Sequence, residues 1–278
     1  MRIIKFIGFV CLIVFSFFYT DRVLNVIREE DHIMIELNQI KDKVKVDAVD
    51  ALIIDDTVVP GLNGKEVNID KSYKLMRNMG TFNKGSIVYN VISPNISVKD
   101  YKDKYVISGN SRRQMVSIIF ILNSNKYLDK IESIVNNKDI VVNYFVDYNY
   151  LISNTIKIKE MKNHEFYSYG DNGRYTPDNI IFSNNLISRI GNNMANLCIS
   201  TKKDRTLLEI CSKNDLYTVM PSIIGSYDNV RNNITNGSMI LFYMNQDTVR
   251  DLAVIIEYIK DRGFLIEGLS SLLSEELL

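Results

Sequence analysis

From Val116 to the C-terminus, short apolar runs alternate with amphipathic segments, roughly every 20–30 residues. The runs are rich in β-branched side chains, which is typical of buried parallel strands, and the segments between them have helical spacing. This alternation predicts a parallel α/β architecture. The predicted strands are 116–122, 141–146, 164–167, 180–182, 196–199, 218–221, 239–243 and 264–266, and the clearest predicted helices are 127–135, 206–212 and 248–260.

The last part of this pattern, residues 236–273, has the clearest punctuation. A turn signal at Asn236-Gly237 precedes the apolar run 239–242. A helix follows, with four apolar side chains on one face, and Gly263 ends it. A second apolar run, 264–266, comes directly afterwards. The order strand, helix, strand therefore predicts a βαβ unit at the end of the chain.

This unit resembles the C-terminal βαβ unit of the polysaccharide deacetylases, the NodB-homology family, where a strand ending in leucine-leucine-histidine presents a metal ligand. Tyr243 stands where that histidine belongs. The tripeptide at 163–165 is similar to the glycine-histidine-glutamate strand of the family, and 139–154 is similar to its aromatic middle strand. The resemblance covers about 116–273 and implies a distorted parallel (β/α) barrel.

The resemblance also implies a chemistry, namely metal-assisted hydrolysis of an acetyl group. One aspartate acts as base, while a second aspartate and two histidines hold the ion. In this sequence Ile121 and Leu122 match the two aspartates, and Tyr169 and Gly173 match the histidine pair. With Tyr243, all five matching positions have lost their metal or catalytic residue. We therefore expect a catalytically inactive domain with no metal and no cofactor.

Polar side chains near the ends of the predicted strands are candidate contacts for a ligand in the former substrate groove. They are Asn123, Asp147, Tyr169, Asp171, Tyr243 and Asn245. Tyrosine suits a sugar ring because it offers an apolar face and a hydroxyl. Alternatively, the tyrosines pack inward and fill the former metal cavity. Three aspartates in this region, Asp147, Asp171 and Asp247, could bind calcium, although they lack the spacing of a calcium loop.

The N-terminal residues 1–20 predict an uncleaved signal anchor that forms a transmembrane helix. Two basic residues precede an almost uninterrupted apolar stretch at 6–19, and no small-residue cleavage site follows it. Cleavage as a signal peptide is the alternative. Because the positive end stays inside, the remainder of the chain is expected on the extracellular side of a single-pass cell membrane protein.

Three further segments are predicted after the anchor. Residues 21–47 have apolar side chains at helical spacing, among them Ile33 and Leu37, and predict a helical stalk or a helix lying on the domain. Residues 48–110 contain β-branched runs around turn signals at Pro60-Gly61 and Asn63-Gly64, followed by a helix start near Asp70, and predict a small α+β lead-in. Residues 111–278 form the predicted barrel domain.

The chain has three cysteines, of which Cys198 and Cys211 lie in the predicted exported part. Cys198 ends a predicted strand and Cys211 lies in the following helix, so a disulfide can close this short connection outside the membrane. The alternative is burial of both as small apolar side chains.

Charge excludes one class of function. The 33 basic and 33 acidic residues cancel, so no global field attracts nucleic acid. Together, the patterns predict a membrane-anchored deacetylase-like protein of the cell envelope that binds glycan or an envelope protein. The alternatives are an active carbohydrate deacetylase or esterase with an unorthodox site, and a structural or assembly protein of the envelope.

Overall fold

In the computed structural model, the residues described are 12–16, 26, 28–161, 163–191 and 195–277. The chain divides into two compact units, one comprising 1–48 and 63–93, the other 49–62 and 94–278. The units therefore do not divide at the predicted boundary between 110 and 111. Segment 48–110 contributes to both of them, because some of its strands pair inside the second unit.

The strands, in chain order, are β1 Leu52–Ile54, β2 Thr57–Val59, β3 Gly64–Val67, β4 Tyr89–Ile92, β5 Tyr105–Val106, β6 Met115–Leu122, β7 Asn143–Val146, β8 Glu165–Ser168, β9 Leu197–Ile199, β10 Tyr217–Val219, β11 Ile223–Ile224, β12 Met239–Tyr243 and β13 Leu265–Ile266. The helices are α1 His32–Ile40, α2 Ile69–Met79, α3 Leu128–Asn137, α4 Tyr148–Ser153, α5 Thr155–Glu160, α6 Pro177–Ile190, α7 Arg205–Lys213, α8 Tyr227–Asn233, α9 Gln246–Asp261 and α10 Leu269–Leu272.

The first unit contains α1, α2 and the antiparallel hairpin of β3 and β4. Helix α1 begins after Asp31, whose carboxylate accepts the N–H of Ile33. Ile33 and Leu37 are buried together with Tyr73 and Met76 of α2. The prediction of a stalk is therefore wrong for 32–40, because this apolar stripe packs into a small core of its own. The helix predicted near Asp70 is present as α2.

The second unit contains two sheets that enclose an apolar interior. One sheet has the parallel strand order β11-β12-β6-β7-β8, and β13 pairs with the beginning of β6. The other has the order β1-β2-β5-β10-β9, in which only the β1–β2 pair is antiparallel. The predicted α/β class with parallel strands is confirmed.

Side chains of β6 alternate between two cores, as the two-residue period of a strand requires. Ile119 and Ile121 belong to the interior cluster, together with side chains from the other sheet such as Val106 and Val219. Phe120 and Leu122 belong to the cluster between the sheet and the surrounding helices. This central strand therefore contributes to both apolar layers of the unit.

The prediction of a strand at 180–182 is wrong. These residues lie inside α6, whose N-terminus is closed by a capping box between Thr176 and Asn179, with Pro177 at the first helical position. Ile180 and Ile187 are buried on one face of this helix. Of the three apolar residues that suggested a strand, Ile180 faces the core, whereas Ile181 and Phe182 lie on the exposed face of the helix.

The predicted turns at Pro60-Gly61 and Asn63-Gly64 are also wrong. The tight turn of this region lies at Asp55-Asp56, between β1 and β2, and Asp55 has a positive φ of 51°. At Gly61 an added Cβ would lie 2.3 Å from the carbonyl oxygen of Val49. This glycine is therefore required by the close approach of two backbone segments and not by a turn.

Most of the predicted anchor, 1–20, lies outside the described residues. Residues 12–16 are described as helical, and the described part of this helix exposes its side chains. None of the helices in the described ranges is long and apolar enough to cross a membrane.

The structure places a disulfide between Cys198 of β9 and Cys211 of α7, with their Cα atoms 6.4 Å apart. Both sulfur atoms are buried in a small cluster with Tyr175, Ile180 and Leu216. The bond closes a separation of 13 residues in sequence. It therefore ties a strand of the second sheet to the helix that follows it.

We expect reduction of this disulfide to lower the free energy of unfolding by about 2–3 kcal/mol, because a short loop constrains the unfolded chain. Thiol labelling of the denatured, unreduced Cys11→Ser variant should detect no free thiol, and prior reduction should expose two. A Cys198→Ser/Cys211→Ser variant is the matched control for stability. Two free thiols without reductant would show that the bond does not form.

Candidate functional site

The predicted catalytic positions converge at the C-terminal edge of the parallel sheet. In the strand register, Tyr243 of β12 is opposite Ile121 of β6, Ile121 is opposite Phe145 of β7, and Phe145 is opposite Tyr167 of β8. Parallel α/β folds carry their binding sites at this edge. We call the surface formed by Ile121, Asp147, Tyr169 and Tyr243 the strand-end surface.

Ile121 and Leu122, which match the lost aspartates, point in opposite directions. Ile121 is 5% exposed and packs in the interior cluster. Leu122 is fully buried on the helix side of the sheet. Each side chain therefore sits in an apolar environment, in which an ionised carboxylate without a partner would be strongly disfavoured.

Tyr169 follows β8 and lies half-buried against the interior cluster. A Cβ placed on Gly173 would be 3.1 Å from the Tyr169 hydroxyl oxygen, so the ring lies directly against this glycine. Gly173 has φ +82°, and its N–H donates to the carbonyl of Tyr169. The loop at Gly173 thus packs against the ring of Tyr169.

Burial raises the pKa of Tyr169, and the neighbouring Tyr243 and Asp147 raise it further. The phenol therefore stays protonated at neutral pH. Tyr243 ends β12 with 47% of its surface exposed. The two hydroxyl groups are close enough to interact electrostatically, but Tyr169 packs against the interior cluster whereas Tyr243 faces solvent.

The remaining predicted contacts have structural partners. Asp147 is buried and caps α4, because one carboxylate oxygen accepts the N–H groups of Asn149 and Tyr150 and the other accepts the N–H of Asn172 at 2.7 Å. Asp171 accepts the side-chain amides of Asn149 and Asn172. The two loops are therefore tied together by carboxylate hydrogen bonds.

The polar residues after the neighbouring strands differ from each other. Asn245 caps α9 by accepting the N–H of Thr248 at 2.8 Å. Asp247 is paired with Arg250. Asn123 is exposed after β6. Of the six candidate contacts, Asn123, Asp171 and Tyr243 are exposed and cap no helix, and the Asp171 carboxylate already accepts two side-chain amides.

These residues do not fit a divalent metal ion. Ile121 and Leu122 offer hydrocarbon, Gly173 has no side chain, and the Tyr169 phenol is protonated. Divalent metals of this chemistry require imidazole or carboxylate ligands. Within the described ranges, no group of three or more histidine, cysteine, aspartate or glutamate side chains is arranged to hold a metal.

One structural residue of this region is not marked by any pattern in the sequence. Tyr175 is buried, its hydroxyl donates to the carbonyl of Ser168, and the same oxygen accepts the N–H of Ile199. It thereby links β8 of one sheet to β9 of the other. His164, by contrast, precedes β8 and lies at the opposite edge from the strand-end surface.

The fold can now be compared with known proteins. No protein-family model matches the chain. The chain is 25% identical, over 245 residues, to the uncharacterized protein YlxY of Bacillus subtilis, covering 78% of this chain and 75% of that one. Wild-type BA3943 of Bacillus anthracis, a CE4 family pseudoenzyme, superimposes with a TM-score of 0.66 at 18% identity, covering 90% of this chain and 97% of that chain.

The chain has the CE4 deacetylase fold. The resemblance to polysaccharide deacetylases is thus confirmed at the level of the fold. A mutant of BA3943 with restored enzymatic activity gives a TM-score of 0.67 at 19% identity, over 89% of this chain and all of that one. The Bc1960 peptidoglycan N-acetylglucosamine deacetylase gives 0.55 at 19% identity, over 65% of this chain and 97% of that one.

The burial of Ile121 at the strand end predicts the effect of introducing a carboxylate there. Ile121→Asp should destabilise the protein by several kcal/mol, because it places an unpaired carboxylate in the interior cluster. Ile156→Asp is the matched control, since Ile156 is 78% exposed on α5 and the same change there should be nearly neutral. Both are measured by denaturant unfolding of the full-length protein.

The loss of stability in Ile121→Asp should also shrink as the pH falls. A buried carboxylate has a raised pKa, so its protonation at acidic pH removes the buried charge. An Ile121→Asp variant as stable as the wild type at neutral pH would mean that this position faces open solvent.

Proposed function

We propose that this protein is a membrane-anchored, outward-facing CE4-type protein that no longer hydrolyses acetyl groups and binds cell-envelope glycan through the strand-end surface. The single observation that supports loss of hydrolysis is the burial of Ile121 in the interior cluster at the position of the catalytic aspartate. A metal-bound water has neither a base nor a ligand set there.

Glycan binding is supported by the exposed ring of Tyr243 at the edge where this fold carries its ligands. A sugar ring stacks on an aromatic face, and the phenol hydroxyl can donate to a sugar oxygen. Tyr169 interacts electrostatically with Tyr243 and packs against Gly173 and the interior cluster. In this proposal Tyr243 contacts the ligand, whereas Tyr169 fills the space of the former metal site and supports it.

The anchor and the extracellular location remain part of the proposal. They rest on the two basic residues and the apolar stretch at 6–19. Fractionation of cells that express the full-length protein tests them, with recovery from the membrane fraction and protease sensitivity from the outside as the expected result. Recovery from the soluble fraction would oppose the anchor without bearing on the strand-end surface.

The two tyrosines should respond differently to truncation. Tyr169→Ala should lower the free energy of unfolding by about 2–3 kcal/mol, because it opens a cavity beside the interior cluster. Tyr243→Ala should change stability by less than about 0.5 kcal/mol, because its ring is largely exposed. Tyr243→Ala should nevertheless abolish retention of the protein on purified peptidoglycan or chitin-type polymers.

Tyr89→Ala is the control for nonspecific loss of an aromatic surface, since Tyr89 is 37% exposed on β4 of the other unit. It should retain wild-type glycan binding. Failure of the wild-type protein to bind either polymer would remove the glycan proposal and favour an envelope protein as the partner. Equal retention by Tyr243→Ala and wild type would move the binding surface elsewhere.

A further inference from the structure

Helix α6 presents one face to the core of the second unit and another face to solvent. Ile180, Ser183 and Ile187 are buried on the first face. On the other face, Ile181 and Phe182 are 56% and 44% exposed, although both are large apolar side chains. A groove of about 400 Å³ lies along this exposed face. The side chains that line it, which we call the α6 stripe, are Asp178, Ile181, Phe182, Asn185, Leu186 and Arg189.

The α6 stripe has the spacing of a helix face that packs against another helix. Four of its residues follow each other at intervals of four, three and four positions, which is the spacing of a seam between two helices. They are Asp178, Phe182, Asn185 and Arg189. At 3.6 residues per turn, the remaining apolar side chains, Ile181 and Leu186, lie on the two flanks of this seam. The pattern therefore favours a helix as the partner of this face.

The two ends of the α6 stripe carry opposite charges that are not paired. Asp178 lies in the first turn of α6 and Arg189 in the last turn. Among the residues that the structure describes, neither side chain forms an ion pair. Because a helix rises about 1.5 Å per residue, the two residues lie about 16 Å apart along the axis and cannot pair with each other. Each is therefore available to an opposite charge on another molecule.

The α6 stripe is complementary to itself. Its residues form three pairs whose members are equally distant from the middle of the segment 178–189. The pairs are Asp178 with Arg189, Ile181 with Leu186, and Phe182 with Asn185. A second α6 placed antiparallel about this midpoint brings Asp178 of either copy level with Arg189 of the other. An interface between two identical chains related by a twofold axis requires this kind of self-complementarity.

The charges also exclude the opposite orientation of the two helices. In a parallel pair, Asp178 would lie beside Asp178 of the other copy, and Arg189 beside Arg189. Like charges placed together in this way disfavour an interface. The antiparallel pair instead has one ion pair at each end of an apolar centre.

Helix α4 extends the exposed apolar surface beside the α6 stripe. The ring of Tyr148 contacts the ring of Phe182, with their centroids 5.5 Å apart. Ile152, one turn further along α4, is 47% exposed. A stable interface buries roughly 800 Å² per partner, whereas a face of one helix of this length measures only about 20 Å by about 10 Å. The contribution of α4 brings the surface closer to what a dimer needs.

We propose that the α6 stripe is a dimerisation surface, which binds α6 of a second copy of this chain in antiparallel orientation. Two ion pairs between Asp178 and Arg189 close the ends of the interface. Ile181, Phe182 and Leu186 of both copies form its centre. This inference goes beyond the proposed function, because no residue of the strand-end surface takes part in it.

The first test is sedimentation velocity of the purified full-length protein at about 1–100 μM, with the same mild detergent for every variant. We expect the wild type to form a dimer in this range. Phe182→Asp should weaken the dimer at least about tenfold, because it places two carboxylates in the apolar centre. Val254→Asp is the matched control, since Val254 is 55% exposed on α9 and the same change there should leave the dimer intact.

Exchange of the terminal charges tests the antiparallel orientation. Asp178→Arg and Arg189→Asp should each weaken the dimer at least about tenfold, because each variant places like charges together at both ends. The double variant Asp178→Arg/Arg189→Asp should recover an affinity within about threefold of the wild type. An equimolar mixture of the two single variants should form a heterodimer, because opposite charges then meet at both ends.

Asp228→Arg is the matched control for the charge exchange. Asp228 is an exposed aspartate in the first turn of α8, at the same helical position that Asp178 has in α6. Its substitution should leave the dimer unchanged. The charge variants alter only exposed side chains, so they decide the question if Phe182→Asp does not fold.

Three results would overturn the inference. They are a wild-type protein that is monomeric at about 100 μM, a dimer that Phe182→Asp leaves intact, and a double charge variant that associates no better than the single variants. The second result would place the contact elsewhere in the chain, and the third would exclude the antiparallel orientation. Tyr243→Ala should remain dimeric even where it loses retention on polymers, so failure of the proposed function and failure of this inference are distinguishable.

Discussion

The pairing and burial of the central strand β6 determine the architecture of the second unit. All eight residues of this strand are buried, and it pairs with β12, β7 and β13. A strand buried on both faces cannot carry an unpaired charge, because that charge would be desolvated, and the polar side chain of Ser117 in this strand is satisfied by donating to the carbonyl of Glu267. In this chain the requirement extends to Ile121 and Leu122. The predicted loss of the two acids at these positions is therefore consistent with the continuity of the core.

The opposite end of the strands is closed by the C-terminal segment. The fully buried side chain of Asn143 donates to the carbonyl of Ile118 and accepts the N–H of Leu269 in α10. The buried carboxylate of Glu275 accepts the N–H groups of Gly61 and Val98, each at 2.9 Å. The N-terminal ends of these strands are therefore covered by the C-terminal segment of the chain itself.

Much of this architecture could be predicted from the sequence. The segments around Phe120 and Leu241 are continuous apolar runs, and they were predicted correctly as buried strands. The run at 180–182 is compatible with a strand or a helix, because apolar side chains on the buried face and the flank of a helix are also consecutive. The Thr176-Pro177 cap is the signal that decides for the helix. The turn predicted at Gly61 was wrong for a similar reason, since glycine is favoured both in turns and where two backbone segments approach closely.

The site was predicted less completely than the fold. The replacement of the metal ligands stays a prediction from the sequence, and it depends only on which residue follows which strand. The different environments of Tyr169 and Tyr243 could not be predicted, since they depend on how the loop at Gly173 folds back. The capping role of Asp147 was available in principle, because an aspartate between a strand and a helix is a preferred N-cap.

The most direct test of the account is the metal content of the full-length protein after gel filtration, measured together with acetyl release from an acetylated glycan. An apolar strand end with Ile121 and Leu122 predicts no stoichiometric zinc, cobalt or nickel and no acetyl release when these metals are added. One transition metal retained per chain, with acetyl release that a chelator abolishes, would contradict the central claim that this CE4 fold has lost its metal chemistry.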